Sequence, residues 1–394
     1  MNFHLICHQV KSMKQPLKVL HICDSLSVGG AERLILGMVE QINCSRFEFH
    51  VCSLKVIRND YLRPDFERLS VPLYGVNAKR FYSIRTFQDI ARYVREHNID
   101  IVHTHLTSAD IVGRIVGVLT GRPVVSTLHN EPHDYNRERF DRRWLERLTM
   151  HFCRPHLVAV SHRIREMFVK EWNVPVEALD VIYNAVSMEQ YLEISEGTPT
   201  KEAATGPTIT TIGRLTTQKA QHYLLEAARI VLDQRPDTRF MIVGQGQLEE
   251  SLKTQAVTLG ISNNVTFTGP RRDIPNILAQ SDIFVLSSLW EGLPLTAIEA
   301  MASARAVVLT DVGGNRELVE TGRNGLIVPP SDVPALAEAL LVLVNNEQRR
   351  IAFGRAAREY VRVDFSIETL TRQYEALYEA IGQRQHRFAT HIPS

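Results

Sequence analysis

The sequence predicts an α/β protein of two domains, each built on a parallel sheet with helices on both faces. Short apolar runs alternate with amphipathic stretches through the first half, and the alternation begins again after residue 207. Such alternation means βαβ units and a parallel sheet. Between the halves, Ser195-Glu196-Gly197-Thr198-Pro199-Thr200 and Gly206-Pro207 form the one stretch rich in Gly, Pro, Ser and Thr, with little hydrophobic periodicity, and the linker is placed there. A chain of 394 residues with 44% apolar and 23% charged content is long enough for two cores of ordinary size.

In the first half the runs are Val19 to Cys23, with a helix after Gly30, then Phe49 to Leu54, Val71 to Leu73, and Ile99 to His103 with a helix from Ala109 to Thr120. Val124 to Leu128 and Leu157 to Val160 complete the half. The second half runs Thr208 to Ile212, Tyr223 to Leu232, Phe240 to Val243, Leu248 to Leu259, Val265 to Thr268, Ile283 to Leu286, Leu295 to Ser303 and Ala306 to Leu309. Each half opens with a strand, a Gly-containing turn and a helix, which points to two Rossmann-like domains, residues 1–195 and 206–364. Residues 333 to 382 read as helices only, and 365–394 are set apart as a C-terminal helix and tail.

A net charge of +1 gives no global reason to expect nucleic acid, and no RNA- or DNA-binding motif overrides that. The five cysteines are odd in number and form no C-x-x-C pair, so they read as reduced thiols of a cytosolic protein. Arg114, Arg122 and Glu338 interrupt the best apolar runs below the roughly 18 to 20 residues that span a bilayer, and the protein reads as soluble or peripheral. Met1 to Ser12 lack a small-residue cleavage site, which argues against a secretory signal and leaves Met13 as an alternative start.

Ser287 to Ala302 is the most informative stretch. It sets Glu291 and Glu299 eight residues apart around Gly292 and Pro294, between a buried strand and a helix in which Pro294 suits the first position. Both carboxylates can then face the carboxyl edge of a parallel sheet, where α/β folds bind ligands. The amides of Leu295 and Thr296 lie at the positive end of the helix dipole, a favourable place for phosphate. Arg214 and Lys219, five apart on the loop after the first strand of the second half, offer a planar fork and a flexible point charge to one diphosphate.

This pattern resembles the Glu-x7-Glu element of the GT4 family of retaining glycosyltransferases, which have the two-domain GT-B fold. Gly213-Arg214-Leu215-Thr216-Thr217-Gln218-Lys219, Val243-Gly244-Gln245-Gly246 and Asp311-Val312-Gly313-Gly314-Asn315-Arg316-Glu317 follow in the family's order, and Gly29-Gly30-Ala31-Glu32 is similar to its N-terminal glycine loop. The resemblance implies two Rossmann-like domains facing across a cleft, with the C-terminal helix crossing back to the N-terminal domain. It assigns the ribose hydroxyls to Glu299, the transferred sugar to Glu291, and the donor's diphosphate to Arg214 and Lys219. Gly29, Gly30, Gly213, Gly244, Gly246, Gly292, Leu293, Leu295 and Thr296 join the donor-binding set, with the backbone near Gly269, Arg271 and Arg272 at the base. His129 resembles the family's histidine beside the donor sugar.

Each assignment has a plainer alternative. An Arg/Lys pair or a lone helical Glu is ordinarily solvated, and Gly pairs are often only turns. His129 is either catalytic or a strand-end group that satisfies backbone, and His105 either lines the acceptor cleft or is structural. His129, Glu131 and His133 alternate as metal ligands would, but Pro132 disrupts a regular strand and no metal is expected. From Arg137 to Lys170 nine Lys/Arg face four acids, which is either an anionic-membrane or lipid-pyrophosphate contact or a solvated face. Ala302-Ser303-Ala304-Arg305-Ala306 and Ala220 depart from the family's loops without removing a ligand group.

The expectation is a retaining, metal-independent hexosyltransferase without cofactor, moving a sugar from a nucleoside diphosphate sugar to a glycan or lipid-linked acceptor in cell-surface polysaccharide or glycolipid synthesis. It would work in the cytoplasm or peripherally on the inner membrane's cytoplasmic face. The rivals are a non-catalytic nucleotide-sugar-binding subunit and a sugar-nucleotide epimerase on the same fold.

Overall fold

The computed structural model describes residues 15–389 apart from 28, 56–60, 77, 79–81, 132–139 and 193–205. Met1 to Ser12, Met13, Cys7, Pro132, His133, Arg137, Arg139 and the linker at Ser195 to Thr200 lie outside the described residues. The chain divides into two compact units, residues 1–183 with 367–394, and residues 184–366.

The first unit runs β1 (Leu17–Cys23), α1 (Gly30–Gln41), β2 (Phe47–Ser53), α2 (Arg63–Arg68), β3 (Leu73–Gly75), α3 (Ile84–Glu96), β4 (Ile101–His105), α4 (Thr107–Thr120), β5 (Val124–Leu128), α5 (Phe140–Cys153), β6 (His156–Ala159), α6 (His162–Trp172) and β7 (Leu179–Val181). All seven strands are parallel, in the order β3-β2-β1-β4-β5-β6-β7. Ser83 and Ser161 cap α3 and α6 by accepting from the amides of Thr86 and Ile164, which satisfies donors that a helix start leaves open.

The second unit runs β8 (Thr208–Ile212), α7 (Gln221–Gln234), β9 (Arg239–Val243), α8 (Glu249–Thr258), β10 (Val265–Gly269), α9 (Ile274–Ala279), β11 (Ile283–Leu286), α10 (Leu295–Ala302), β12 (Ala306–Thr310), α11 (Asn315–Leu318), β13 (Leu326–Val328), α12 (Val333–Val344) and α13 (Glu347–Asp364). Its six parallel strands take the order β10-β9-β8-β11-β12-β13. Ile209, Phe240, Ile283, Val285 and Val308 join Leu224, Ala228, Leu340 and Leu343 in its core. Each large side chain buried there contributes about 1.5–3 kcal/mol.

The last helix, α14 (Ile367–Ala389), belongs to the first unit and packs on α1. Two Rossmann-like parallel sheets and a returning C-terminal helix are therefore the architecture. The compact units divide at 183/184 and 366/367, against the boundaries at 195 and 364 expected from sequence. Residues 184–192 fall with the second unit because contacts, not composition, decide it: Val186 bridges to Ser366, and Asn184 Nδ2 donates to the carbonyl of Leu293 at 2.7 Å.

Candidate active site

In each sheet the sequence order reverses direction next to the first strand, between β1 and β4 in one unit and between β8 and β11 in the other. Loops leaving the carboxyl ends of two such strands diverge and open a crevice. The second unit places Gly213 to Lys219 after β8 and Ser287 to Pro294 after β11, and so brings together the two segments singled out from sequence.

Their contact is direct. Lys219 Nζ donates to Glu291 Oε1 at 2.6 Å, and Ser288 Oγ donates to the same oxygen at 2.6 Å. Glu291 is only 4% exposed, so its charge is compensated where water is scarce. Arg214 is held through Gln218, whose Oε1 accepts from Arg214 at 3.2 Å and whose Nε2 donates to the Trp290 carbonyl at 3.1 Å. Two cations and a carboxylate are thus positioned on one crevice edge by Gln218 and Ser288. Both lay inside motifs already noted, but their supporting roles became visible only in three dimensions.

Close backbone contact explains two of the glycines. Gly244 has φ +134°, and a Cβ there would collide with the carbonyl oxygen of Gly213. Gly313 has φ +50°, and its Cβ would collide with the carbonyl of Glu291. Both positions favour glycine on backbone conformation as well as space. The crevice loops therefore stack backbone on backbone, reinforced by the Gly314 amide donating to the Gly292 carbonyl at 2.7 Å.

Pro294 is the N-cap of α10 with an extended backbone, one position earlier than expected, and Leu295 opens the helix. The first amides of a helix lack intrahelical partners, so the expected amide donors at Leu295 and Thr296 remain. Thr296 Oγ1 is buried without a hydrogen-bond partner among the described residues. Glu299 lies farther along α10 and is 1% exposed. Gly292, Leu293 and Leu295 are buried beside it in the chain, whereas Gly246 borders the loop at Leu215. Arg271 follows β10 at the sheet edge and pairs with Asp273 at 2.6 Å, not with the Lys219 group.

The first unit places Gly29 as the N-cap of α1 and Gly30 as its first residue. His129 follows β5 and is half-buried. His105 ends β4 and corrects the acceptor assignment: it is fully buried, with no exposed surface to offer an acceptor. It lies between His21 and His129, with Nε2 3.1 Å from His21 Nδ1 and Nδ1 3.1 Å from His129 Nε2. Burial lowers the pKa of His129 to about 4 and that of His21 to about 3, and drives that of His105 well below the usual histidine range. His21, His103 and His105 also bring ligand-type atoms within 4.8 Å of one another, a cluster that spacing along the chain does not reveal.

Two Rossmann-like parallel-sheet units, each with its order reversing beside the first strand, define a GT-B architecture. The family model Glycosyltransferase Family 4 matches residues 28–190, and Glycosyl transferases group 1 matches residues 198–360. The chain belongs to the GT4 family, and it is a glycosyltransferase. It is 28% identical, over 94% of its length and 98% of the relative's, to the Escherichia coli UDP-Gal:alpha-D-GlcNAc-diphosphoundecaprenol alpha-1,3-galactosyltransferase. It is 36% identical over 42% of its length, and 45% of the relative's, to a GDP-mannose-dependent monoacylated alpha-(1-6)-phosphatidylinositol monomannoside mannosyltransferase of Corynebacterium glutamicum. Among solved structures it is similar to Anabaena HepE in complex with UDP and glucose, with a TM-score of 0.78, 22% identity, and coverage of 92% of this chain and 100% of that one.

Proposed function

We propose that this enzyme is a retaining, metal-independent hexosyltransferase that moves a sugar from a UDP-sugar to a lipid-diphosphate-linked glycan. The observation that carries the proposal is the Lys219–Glu291–Ser288 contact, with Arg214 held alongside by Gln218. A leaving diphosphate needs positive charge fixed in advance, and Arg214, Lys219 and the first amides of α10 supply it. Glu291, already engaged by Lys219 and Ser288, suits contact with sugar hydroxyls better than attack on the anomeric carbon. The bond from anomeric carbon to phosphate oxygen breaks, the acceptor oxygen bonds to the same face, and the acceptor proton passes to the departing phosphate oxygen. The near full-length relative, named for UDP-Gal and a diphosphoundecaprenol-linked sugar, supports the donor and acceptor classes.

The test is a thermal-shift panel of UDP-Gal, UDP-Glc, GDP-Man and ADP-Glc, followed by transfer to GlcNAc-diphosphopolyprenol in EDTA. A donor at a hundredfold its dissociation constant stabilises by about 2.7 kcal/mol. A UDP-sugar shift, with an α-linked product formed in EDTA, is the expected result. Absence of any nucleotide-sugar shift, a β-linked product, or loss of transfer in EDTA each removes the corresponding part of the proposal.

Peripheral attachment at the inner membrane's cytoplasmic face belongs to the same reading. No helix among the described residues is long and apolar enough to cross a membrane. On α5, Trp144 is 59% and Phe152 71% exposed, and both line a surface hollow with Arg147, Leu148 and His151. Exposed aromatics among basic residues suit an anionic lipid surface. Co-sedimentation with phosphatidylglycerol vesicles that falls at high salt is expected; binding indifferent to salt and to lipid charge would leave α5 a solvated face.

A further inference from the structure

His21, His105 and His129 form a hydrogen-bonded file across three adjacent parallel strands. His21 stands in β1 opposite His103 of β4, and His105 of β4 stands opposite Thr127 of β5, two residues before His129. The inner two rings are fully buried and only His129 reaches partial exposure. Burial keeps all three neutral near pH 7, so each carries one ring proton.

Two hydrogen bonds among three neutral imidazoles allow two arrangements. The proton of His105 sits on either Nδ1 or Nε2, and each choice fixes both neighbours. With Nε2–H on His105, His21 must accept at Nδ1 and carry its own proton on Nε2. That atom is buried with no hydrogen-bond partner among the described residues. A buried orphan N–H is the rarer fault, and an unfilled acceptor is better tolerated. The opposite arrangement leaves only a lone pair at His21 Nε2.

His103 does not compete for these protons. Its Nε2 lies 2.7 Å from Thr127 Oγ1 and its Nδ1 2.6 Å from the hydroxyl of Tyr378, while Tyr374 reaches Thr127 Oγ1 at 2.8 Å. Helix α14 thus closes the polar side of β4 and leaves His105 to its two histidine neighbours.

We propose that His21 and His105 are positioning residues that set the tautomer of His129. His21 Nδ1–H donates to His105 Nε2, His105 Nδ1–H donates to His129 Nε2, and His129 carries its proton on Nδ1. His129 then meets the substrate as a hydrogen-bond donor, suited to a sugar hydroxyl or phosphate oxygen, and not as a base. The inference rests on the proposed function only in having His129 touch substrate.

Long-range 1H–15N correlation spectra of histidine-labelled enzyme at pH 7 read each tautomer directly, with His129→Gln and His105→Leu variants for assignment. The expected wild-type result is His129 protonated at Nδ1 alone, and a mixture of tautomers in His105→Leu and His21→Phe. In transfer assays His105→Leu should lower kcat about tenfold with donor KM little changed, on the scale of one hydrogen bond. His105→Asn, whose amide can still donate to His129 Nε2, should recover most of it. An Nε2–H tautomer of His129 in the wild type overturns the proposal, as does an Nδ1–H tautomer unaltered in both variants. So does a stoichiometric metal ion retained by the purified enzyme, which would take up the lone pairs of His21, His103 and His105. The spectra do not depend on turnover, so an enzyme with no transferase activity would refute the proposed function without deciding the tautomer.

Discussion

Lys219 and Glu291 stand 72 positions apart, yet each lies in a run of consecutive residues that leaves the end of one strand and serves one crevice. The histidine file of the other unit draws one ring from each of β1, β4 and the end of β5, and α14 closes the neighbouring ring from 275 residues away. The first site is a product of loops and the second of stacked strands. Loops set into a parallel sheet edge concentrate function in short segments, because the backbone itself supplies amides and close approach. A polar group inside a sheet must instead find partners on whichever strands lie beside it. The consequence is a contrast in means: paired charges on loops in the second unit, and neutral, prearranged polar groups in the first.

The largest expected effect tests the loop-built site. Lys219→Ala or Arg214→Ala should lower kcat at least about a hundredfold at saturating donor, the scale of losing one donor to developing charge. Circular dichroism should remain that of the wild type. Near-normal turnover in either variant would show that the loop after β8 does not carry the diphosphate. Glu291 should then be retained only as the partner of Lys219.

A finer division within the same site follows from where the two carboxylates sit. Glu299 lies on α10, suited to a nucleotide part that changes little in reaction, whereas Glu291 shares its oxygen with Lys219. Glu299→Ala is expected to weaken binding of UDP and donor alike. Glu291→Ala should spare UDP affinity and slow transfer about tenfold or more. Titration calorimetry with UDP and single-turnover kinetics separate the cases, and equal affinity losses would show the roles misassigned.

The same contrast explains what was legible in the sequence. Gly213 to Lys219 and Ser287 to Ala302 announced a site because glycine, proline and carboxylates recur within a few residues of predicted strand ends. Strands β7 and β13 did not announce themselves, since three residues give no periodicity to read. His103 and His105 read as the end of a strand, yet nothing in the sequence shows that they and Thr104 are all buried and hydrogen-bonded. Nothing local foretold partners from β1, β5 and α14. The unit boundary was hidden likewise, since Asn184 and Val186 follow the second unit through contacts with Leu293, Phe365 and Ser366, all more than a hundred residues along the chain.

A last expected effect, on stability and not on turnover, probes the cost of burying polar groups in the first unit. Arg114 of α4 is fully buried; its guanidinium lies 3.7 Å from Asp110 and donates to Ser126 Oγ at 3.1 Å and to the backbone carbonyl of Glu146 at 3.3 Å. Burial raises the carboxyl of Glu146 to about 8, against the pull of Arg114, and that of Asp110 to about 6. A carboxyl whose folded pKa is raised favours the folded state most below its unfolded pKa, and that contribution is lost as pH rises through the folded value. For Glu146 the window runs from about pH 4.5 to about 8. Glu146→Gln stays neutral throughout, so its stability should fall less than the wild type's between pH 6 and 8, by on the order of 2 kcal/mol. Urea unfolding at pH 6 and pH 8 measures the difference. Because Asp110 titrates in both proteins, its share cancels in the comparison. Parallel pH dependence in the two would mean that Glu146 is ionised in the folded state and that Arg114 outweighs its burial.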